Sequence, residues 1–164
     1  MKKLIENQDI RIKLLDLLSR REHSKYELFN KLKFRVESKD ELNFQISRLS
    51  KENLQSDLRF SESYIKSRFN SGFGPIRIKY DLSSRRVTEN DINLAFEETS
   101  FDWEEKLKSE NLKKYGEDSP IDIKELAKRI KFFTHRGFEQ DITVSYTHIT
   151  LPTSVTVYIS VVSV

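Results

Sequence analysis

Apolar side chains recur along this chain at helical spacing, in short runs broken by residues suited to helix starts. Ile10, Leu14, Leu17 and Leu18 share one stripe of a helix over residues 8–22. A second helix is predicted from Ser24, where Glu27 three residues on completes a capping box, and its apolar face is Leu28, Phe29 and Leu32. A third opens the same way at Ser38 with Glu41 and buries Leu42, Ile46 and Leu49. Each of the three is too short to hold its shape unless its apolar stripe is covered by the others.

The pattern then returns. Ser56 precedes a helix with Leu58, Phe60, Tyr64, Ile65 and Phe69; Pro75 begins one with Ile78 and Leu82; Thr88, with Asp91 three later, begins one with Ile92, Ala95 and Phe96. Ser100 is read as the start of a further cycle with Trp103 and Leu107, a break near Gly116, and a helix after Pro120 and Asp122 carrying Ile123, Ala127, Ile130 and Phe133, stopped at Gly137. Leu32, Leu82 and Phe133 each close a middle helix, and each is followed by a cation and an apolar residue: Arg35 and Val36, Arg86 and Val87, Arg136 and Phe138. Self-similarity at about 50 residues predicts stacked helical repeats. The expected fold is all-α, an elongated array of three tandem three-helix, helix–turn–helix-like repeats over residues 1–55, 56–98 and 99–142, the third incomplete.

The end of the chain departs from this pattern. The 23 residues after Asp141 carry no charged group and are rich in Thr, Ser and Val, with Val155, Val157, Ile159 and Val161 alternating as in a strand that has no earlier partner. Residues 143–164 are therefore expected to be a tail foreign to the repeats, or disordered, and prone to aggregate if exposed.

Composition narrows the function. Charged residues make up 34% and apolar ones 37%, so the cores are modest, and only three prolines and four glycines favour helices over strands and turns. Cysteine is absent, which excludes a disulfide framework, a thiolate nucleophile and a cysteine-ligated metal, and suits a reducing cytoplasm. The opening ten residues turn polar and acidic too soon for a signal peptide, and no apolar run of membrane length occurs before Asp141. Catalysis finds little support: His23, His135 and His148 stand far apart, the first two expected to face solvent or cap helices, and no nucleotide-binding, metalloprotease or nucleophile-elbow motif is present. No cofactor and no metal are expected. The acidic block 88–105, seven acids without a base, reads as a solvated helix face or as a surface that repels nucleic acid and orients the molecule.

The positive signal is cationic. Between Tyr64 and Val87, Lys66, Arg68, Arg77, Lys79, Arg85 and Arg86 meet one acid, Asp81, and the aromatic rings of Tyr64 and Phe73 are interleaved with them. At its centre Gly72 and Gly74 are expected to supply positive φ in a turn, and Pro75 to open the next helix. This glycine-rich stretch lies between helices, so it is read as a turn and not as a nucleotide loop. The later helix repeats the theme with Lys124, Lys128, Arg129, Lys131 and Arg136, after which Gly137 turns the chain. Clustered Lys and Arg bind polyanions through charge and counterion release, without reading sequence. The expected partner-contacting set is Lys66, Arg68, Phe73, Arg77, Lys79, Arg85, Arg86, Lys128, Arg129, Lys131 and Arg136. A different reading, a helix–turn–helix module on duplex DNA, would use Asn43, Gln45 and Arg48 of the third helix against base edges.

Several of these residues form a pattern with a family name. The run from Leu18 to Leu28 with Lys31 and Leu32 resembles the opening signature of the RecX regulatory proteins. So do Arg59, Phe60 and Tyr64, then Ser67, Arg68 and Phe69, and above all Gly72 to Ile78; Asp102 with Trp103 and Arg136 to Phe138 also match. The likeness spans roughly residues 8–142 in order and spacing. It departs where such proteins have a more basic helix after Leu82 and a third triplet that runs to completion. The resemblance implies tandem three-helix units and a non-enzymatic modulator of the RecA recombinase, a cytoplasmic monomer lying along the groove of the RecA filament on single-stranded DNA. There it would inhibit ATP hydrolysis and strand exchange and so modulate recombination and repair.

Overall fold

The computed structural model describes residues 5–148, with the side chains of 145–148 excepted. The described chain is all-helical. Its helices are α1 (Asn7–Arg20), α2 (Lys25–Leu32), α3 (Lys39–Lys51), α4 (Asp57–Asn70), α5 (Pro75–Ser84), α6 (Glu89–Thr99), α7 (Trp103–Tyr115), α8 (Ile123–His135) and α9 (Gln140–His148). Most starts follow from one local device, a side-chain oxygen accepting an otherwise unpaired first-turn N–H. Ser24, Ser38 and Thr88 do this for Glu27, Glu41 and Asp91, and Asp102 and Asp122 for Glu105 and Glu125. Ser100 does not open α7 as the sequence suggested. It takes φ +43° and closes α6, leaving the cap to Asp102.

The chain divides into two compact units, one of Met1–Lys66 with Asp81–Ser100, the other of Ser67–Tyr80 with the chain from Phe101 onward. Helices α4 and α5 thus each contribute to both. In the first unit, α1 and α2 pack on α3. Ile10, Leu14, Leu28, Leu32, Leu42, Ile46 and Leu49 make its core, joined by Ile5 and Val36, which form an isolated parallel bridge. In the second unit, Leu107, Phe133 and Phe138 are buried together under Trp103, Tyr115, Phe132 and Ile142, and α9 packs on α7 and α8.

Four sequence expectations need correction here. His23 is neither solvent-facing nor a cap: it is 3% exposed, with Nδ1 2.9 Å from Glu27 Oε2. Glu27 does not complete a capping box; its carboxylate holds His23, Arg21 and Arg85 instead. On α8 the inward face is Leu126, Arg129 and Phe133, whereas Ile123 and Ala127 are exposed. The uncharged tail also starts later than its composition suggests. Helix α9 runs through residues 143–148, and Thr143 is buried with its hydroxyl donating to the Glu139 carbonyl at 2.7 Å. Packing on α7 and α8 holds this β-branched stretch helical against its intrinsic preference. The remainder of the expected tail, 149–164, lies outside the described residues.

Candidate nucleic-acid interface

The cationic corner of the second unit is built from two turns that touch through their backbones. Helix α4 ends at Gly72, whose φ of +77° lets Gly72 N–H reach the Phe69 carbonyl and Phe73 N–H the Arg68 carbonyl, at 3.0 and 3.1 Å. Helix α8 ends alike at Gly137, φ +89°, with Phe138 N–H on the Phe133 carbonyl at 3.1 Å. The start of α5 then meets the end of α8. Gly74 N–H donates to the Arg136 carbonyl at 2.9 Å and Ile76 N–H to the Gly137 carbonyl at 3.0 Å. Orphan donors of one helix start are thereby satisfied by orphan acceptors of another helix end.

Gly74 has a different role from the one its sequence position suggested. It does not take positive φ; a Cβ there would stand 2.3 Å from the carbonyl carbon and oxygen of Gly137. Close approach, not backbone freedom, demands glycine at this position. A Cβ on Gly137 would in turn meet Arg77 Cβ at 2.3 Å. Pro75 stands at the first position of α5, where its missing N–H is no loss.

Cations gather on this frame. Arg136 donates from Nη1 to the carbonyls of Ser71 and Gly72, both at 3.1 Å, and its guanidinium lies 5.3 Å from the ring centre of Phe73 and 4.9 Å from that of Phe132. Arg68 stands 5.0 Å from Phe73. Together Phe73, Arg77, Lys128, Lys131, Phe132, His135 and Arg136 line an open groove of about 540 Å³, with no carboxylate among them. Five of these seven are residues expected from the sequence. Phe132 and His135 were missed; for His135 a signal existed, since Lys124, Lys128, Lys131 and His135 follow i, i+4, i+7, i+11 spacing, one stripe of α8. The nearby Glu110 is engaged by Lys106 and Lys113, each at 3.1 Å. Burial opposes its charge, but those two ammonium groups outweigh this and hold its carboxyl below the usual range.

The other expected cations divide. Arg129 leaves the set. It is 3% exposed, donates to Glu125 Oε1 from Nη2 at 2.6 Å and to the Asp118 carbonyl at 2.9 Å, and lies 4.5 Å from the Tyr115 ring centre. Lys79 is exposed on α5. In the first unit, Lys66 and Arg86 are exposed, the latter at φ +57° with its guanidinium 5.1 Å from Tyr26. Arg85 is tied down, donating to the Asp81 carbonyl at 2.6 Å and to Glu27 at 3.2 Å and lying 4.7 Å from the Tyr64 ring. Of the residues for duplex readout, Asn43 and Arg48 are exposed, but Gln45 spends its amide on Glu41 at 2.7 Å and Arg48 lies 3.6 Å from Glu52. Among the described residues no group of three or more His, Asp or Glu is placed to hold a metal, and no helix is long and apolar enough to cross a membrane.

This fold and site define a class: an all-helical protein of short capped helices, carrying a cation- and aromatic-lined groove. Comparison with known proteins makes it specific. Residues 56–95 match the second three-helix domain of RecX. The Regulatory protein RecX of Pseudomonas tolaasii is 38% identical over 133 residues, covering 81% of this chain and 86% of that one. That of Pseudomonas savastanoi pv. phaseolicola is 36% identical with the same coverage. A crystal structure of RecX from Lactobacillus salivarius superposes with a TM-score of 0.68 at 24% identity, over 85% of this chain and 93% of that one. A second RecX crystal structure gives 0.70 at 20% identity, over 85% and 70%. The chain belongs to the RecX family of regulatory proteins.

Proposed function

We propose that this protein binds the RecA filament on single-stranded DNA and inhibits RecA ATP hydrolysis and strand exchange, modulating recombination and DNA repair without catalysing a reaction itself. It acts in the cytoplasm, as a monomer of three three-helix repeats, α1–α3, α4–α6 and α7–α9. The observation that carries this reading is the groove lined by Arg77, Lys128, Lys131, His135 and Arg136 around Phe73 and Phe132 without an acid. Such a surface attracts a phosphate or carboxylate array through its clustered positive charge and offers π faces beside it.

The test reverses Lys128 and Lys131, both exposed and outside the core. The Lys128→Glu/Lys131→Glu protein keeps its helicity. Its inhibition of RecA-driven, DNA-dependent ATP hydrolysis weakens by an order of magnitude or more, since each reversed charge costs about 1 kcal/mol or above at a polyanion. Binding to RecA-coated single strands falls in parallel. Undiminished inhibition removes the groove from the interface.

A further inference from the structure

A second cationic element lies in the first unit, at the end of α2, and the groove does not account for it. Lys31, Lys33 and Arg35 alternate there with Leu32, which is buried, and Phe34, which is 80% exposed. The backbone that carries Phe34 is fixed on both sides. Lys33 N–H donates to the Phe29 carbonyl at 2.8 Å and Arg35 N–H to the Leu32 carbonyl at 2.7 Å. Beyond it, the Arg35 carbonyl accepts from Ile5 N–H at 2.6 Å, and Val36 is buried beside Ile5. Lys33 Nζ is likewise placed, 2.6 Å from Asn30 Oδ1 and 5.0 Å from the Phe34 ring centre. The acids nearest in sequence are Glu37 and, four residues before Lys31, Glu27, whose carboxylate is held by Arg21, His23 and Arg85.

A single exposed apolar residue is ordinary on a protein surface. This one differs in its setting: a ring carried on a hydrogen-bonded backbone, presented to solvent, with a cation on each side of it in sequence. A protein-binding patch would need several apolar anchors together. An exposed ring flanked in sequence by cations suits one base of a single strand, with its phosphates on either side. We infer that the Lys31–Arg35 turn is a stacking site for an unpaired nucleobase, Phe34 taking the base and Lys31, Lys33 and Arg35 the adjoining phosphates. This site is separate from the groove, and its test uses no recombinase, so either reading can fail without the other.

The experiment compares Phe34→Ala, Phe34→Trp and the unaltered full chain on two labelled strands, a short oligothymidylate and an abasic strand of equal length, by fluorescence anisotropy. Phe34→Ala weakens binding to oligothymidylate by roughly 5- to 100-fold, the worth of one aromatic–base stack. It leaves the abasic strand within about two-fold, because the phosphate contacts remain. Phe34→Trp retains binding to oligothymidylate. Equal behaviour of Phe34→Ala on both strands, whether unchanged or lowered alike, overturns the inference. The ring is exposed, so circular dichroism of Phe34→Ala is expected to match the unaltered chain.

Discussion

Replacing Gly74 by alanine tests the frame of the corner directly. The added Cβ would lie 2.3 Å from two backbone atoms of Gly137 and 2.4 Å from Phe138 N. Ordinary contact needs more than about 1 Å of further separation, and the obstacle is backbone, which cannot rotate aside. Overpacking of this kind costs about 1–3 kcal/mol. Moving the turns apart also breaks the bonds from Gly74 N–H to Arg136 and from Ile76 N–H to Gly137, now 2.9 and 3.0 Å long, each worth about 0.5–1.5 kcal/mol. Alanine recovers about 0.4–1 kcal/mol by restricting the unfolded chain. The net loss is about 1–5.6 kcal/mol. Trp103, the chain's one tryptophan, reports on this unit, standing edge-on to Phe69 at 5.2 Å and to Phe101 at 6.2 Å. In urea its fluorescence transition moves down by about 0.7–3.7 M, taking a slope of about 1.5 kcal/mol/M. A shift below about 0.5 M would refute the claim that backbone contact between these turns holds the corner together.

Two further outcomes follow from buried polar groups. Burial is the main force lowering the His23 pKa below 6.5, with Arg21 adding to it and the bond to Glu27 acting in the opposite sense. The unfolded chain therefore takes up the proton first. Stability is full above pH 6.5 and falls as pH drops through the lower folded value, and the urea midpoint followed by far-ultraviolet circular dichroism declines in that window. Glu27, whose pKa is also lowered, adds its own loss only below pH 4.5. His23→Gln flattens the upper part of the profile; an unchanged slope there would assign the effect elsewhere. Arg129→Ala destabilises the Trp103-reported transition by about 1–3 kcal/mol, since a buried side chain is lost from beside Tyr115 together with its hydrogen bonds to Glu125 and the Asp118 carbonyl. If the groove binds DNA as proposed, Arg129→Ala leaves the salt dependence of that binding unchanged, because this cation is buried; a slope reduced by about one would return Arg129 to the interface.

Much of this architecture was legible from spacing alone. Ser38 before Glu41, Thr88 before Asp91 and Asp122 before Glu125 are local signals, and the caps form where they stand. Leu32, Leu82 and Phe133 are all buried, as their recurring position implied. Phase was harder. Ile123 is the first residue of α8 and points outward, and the inward stripe through Leu126 and Phe133 includes Arg129, which no apolar pattern can reveal. Arg129 and Lys128 look alike in a sequence; only the neighbours Tyr115, Asp118 and Glu125 separate a core guanidinium from a surface ammonium. The role of Gly74 was hidden for the same reason, since its constraint comes from Gly137, far along the chain. Glu27 was misread because a short-range rule competed with Arg85, 58 residues away, and the distant partner prevailed.

The splitting of α4 and α5 between both compact units has a consequence for biosynthesis. Neither unit is a continuous stretch of polypeptide, so a ribosome cannot release one finished half before beginning the other. The carbonyls of Ser71 and Gly72 wait for Arg136, 64 residues behind Gly72 in order of translation, and stay hydrated until it emerges. Nascent chains halted before Gly137 therefore carry an unsealed Gly72–Pro75 turn, open to proteases that the completed protein resists.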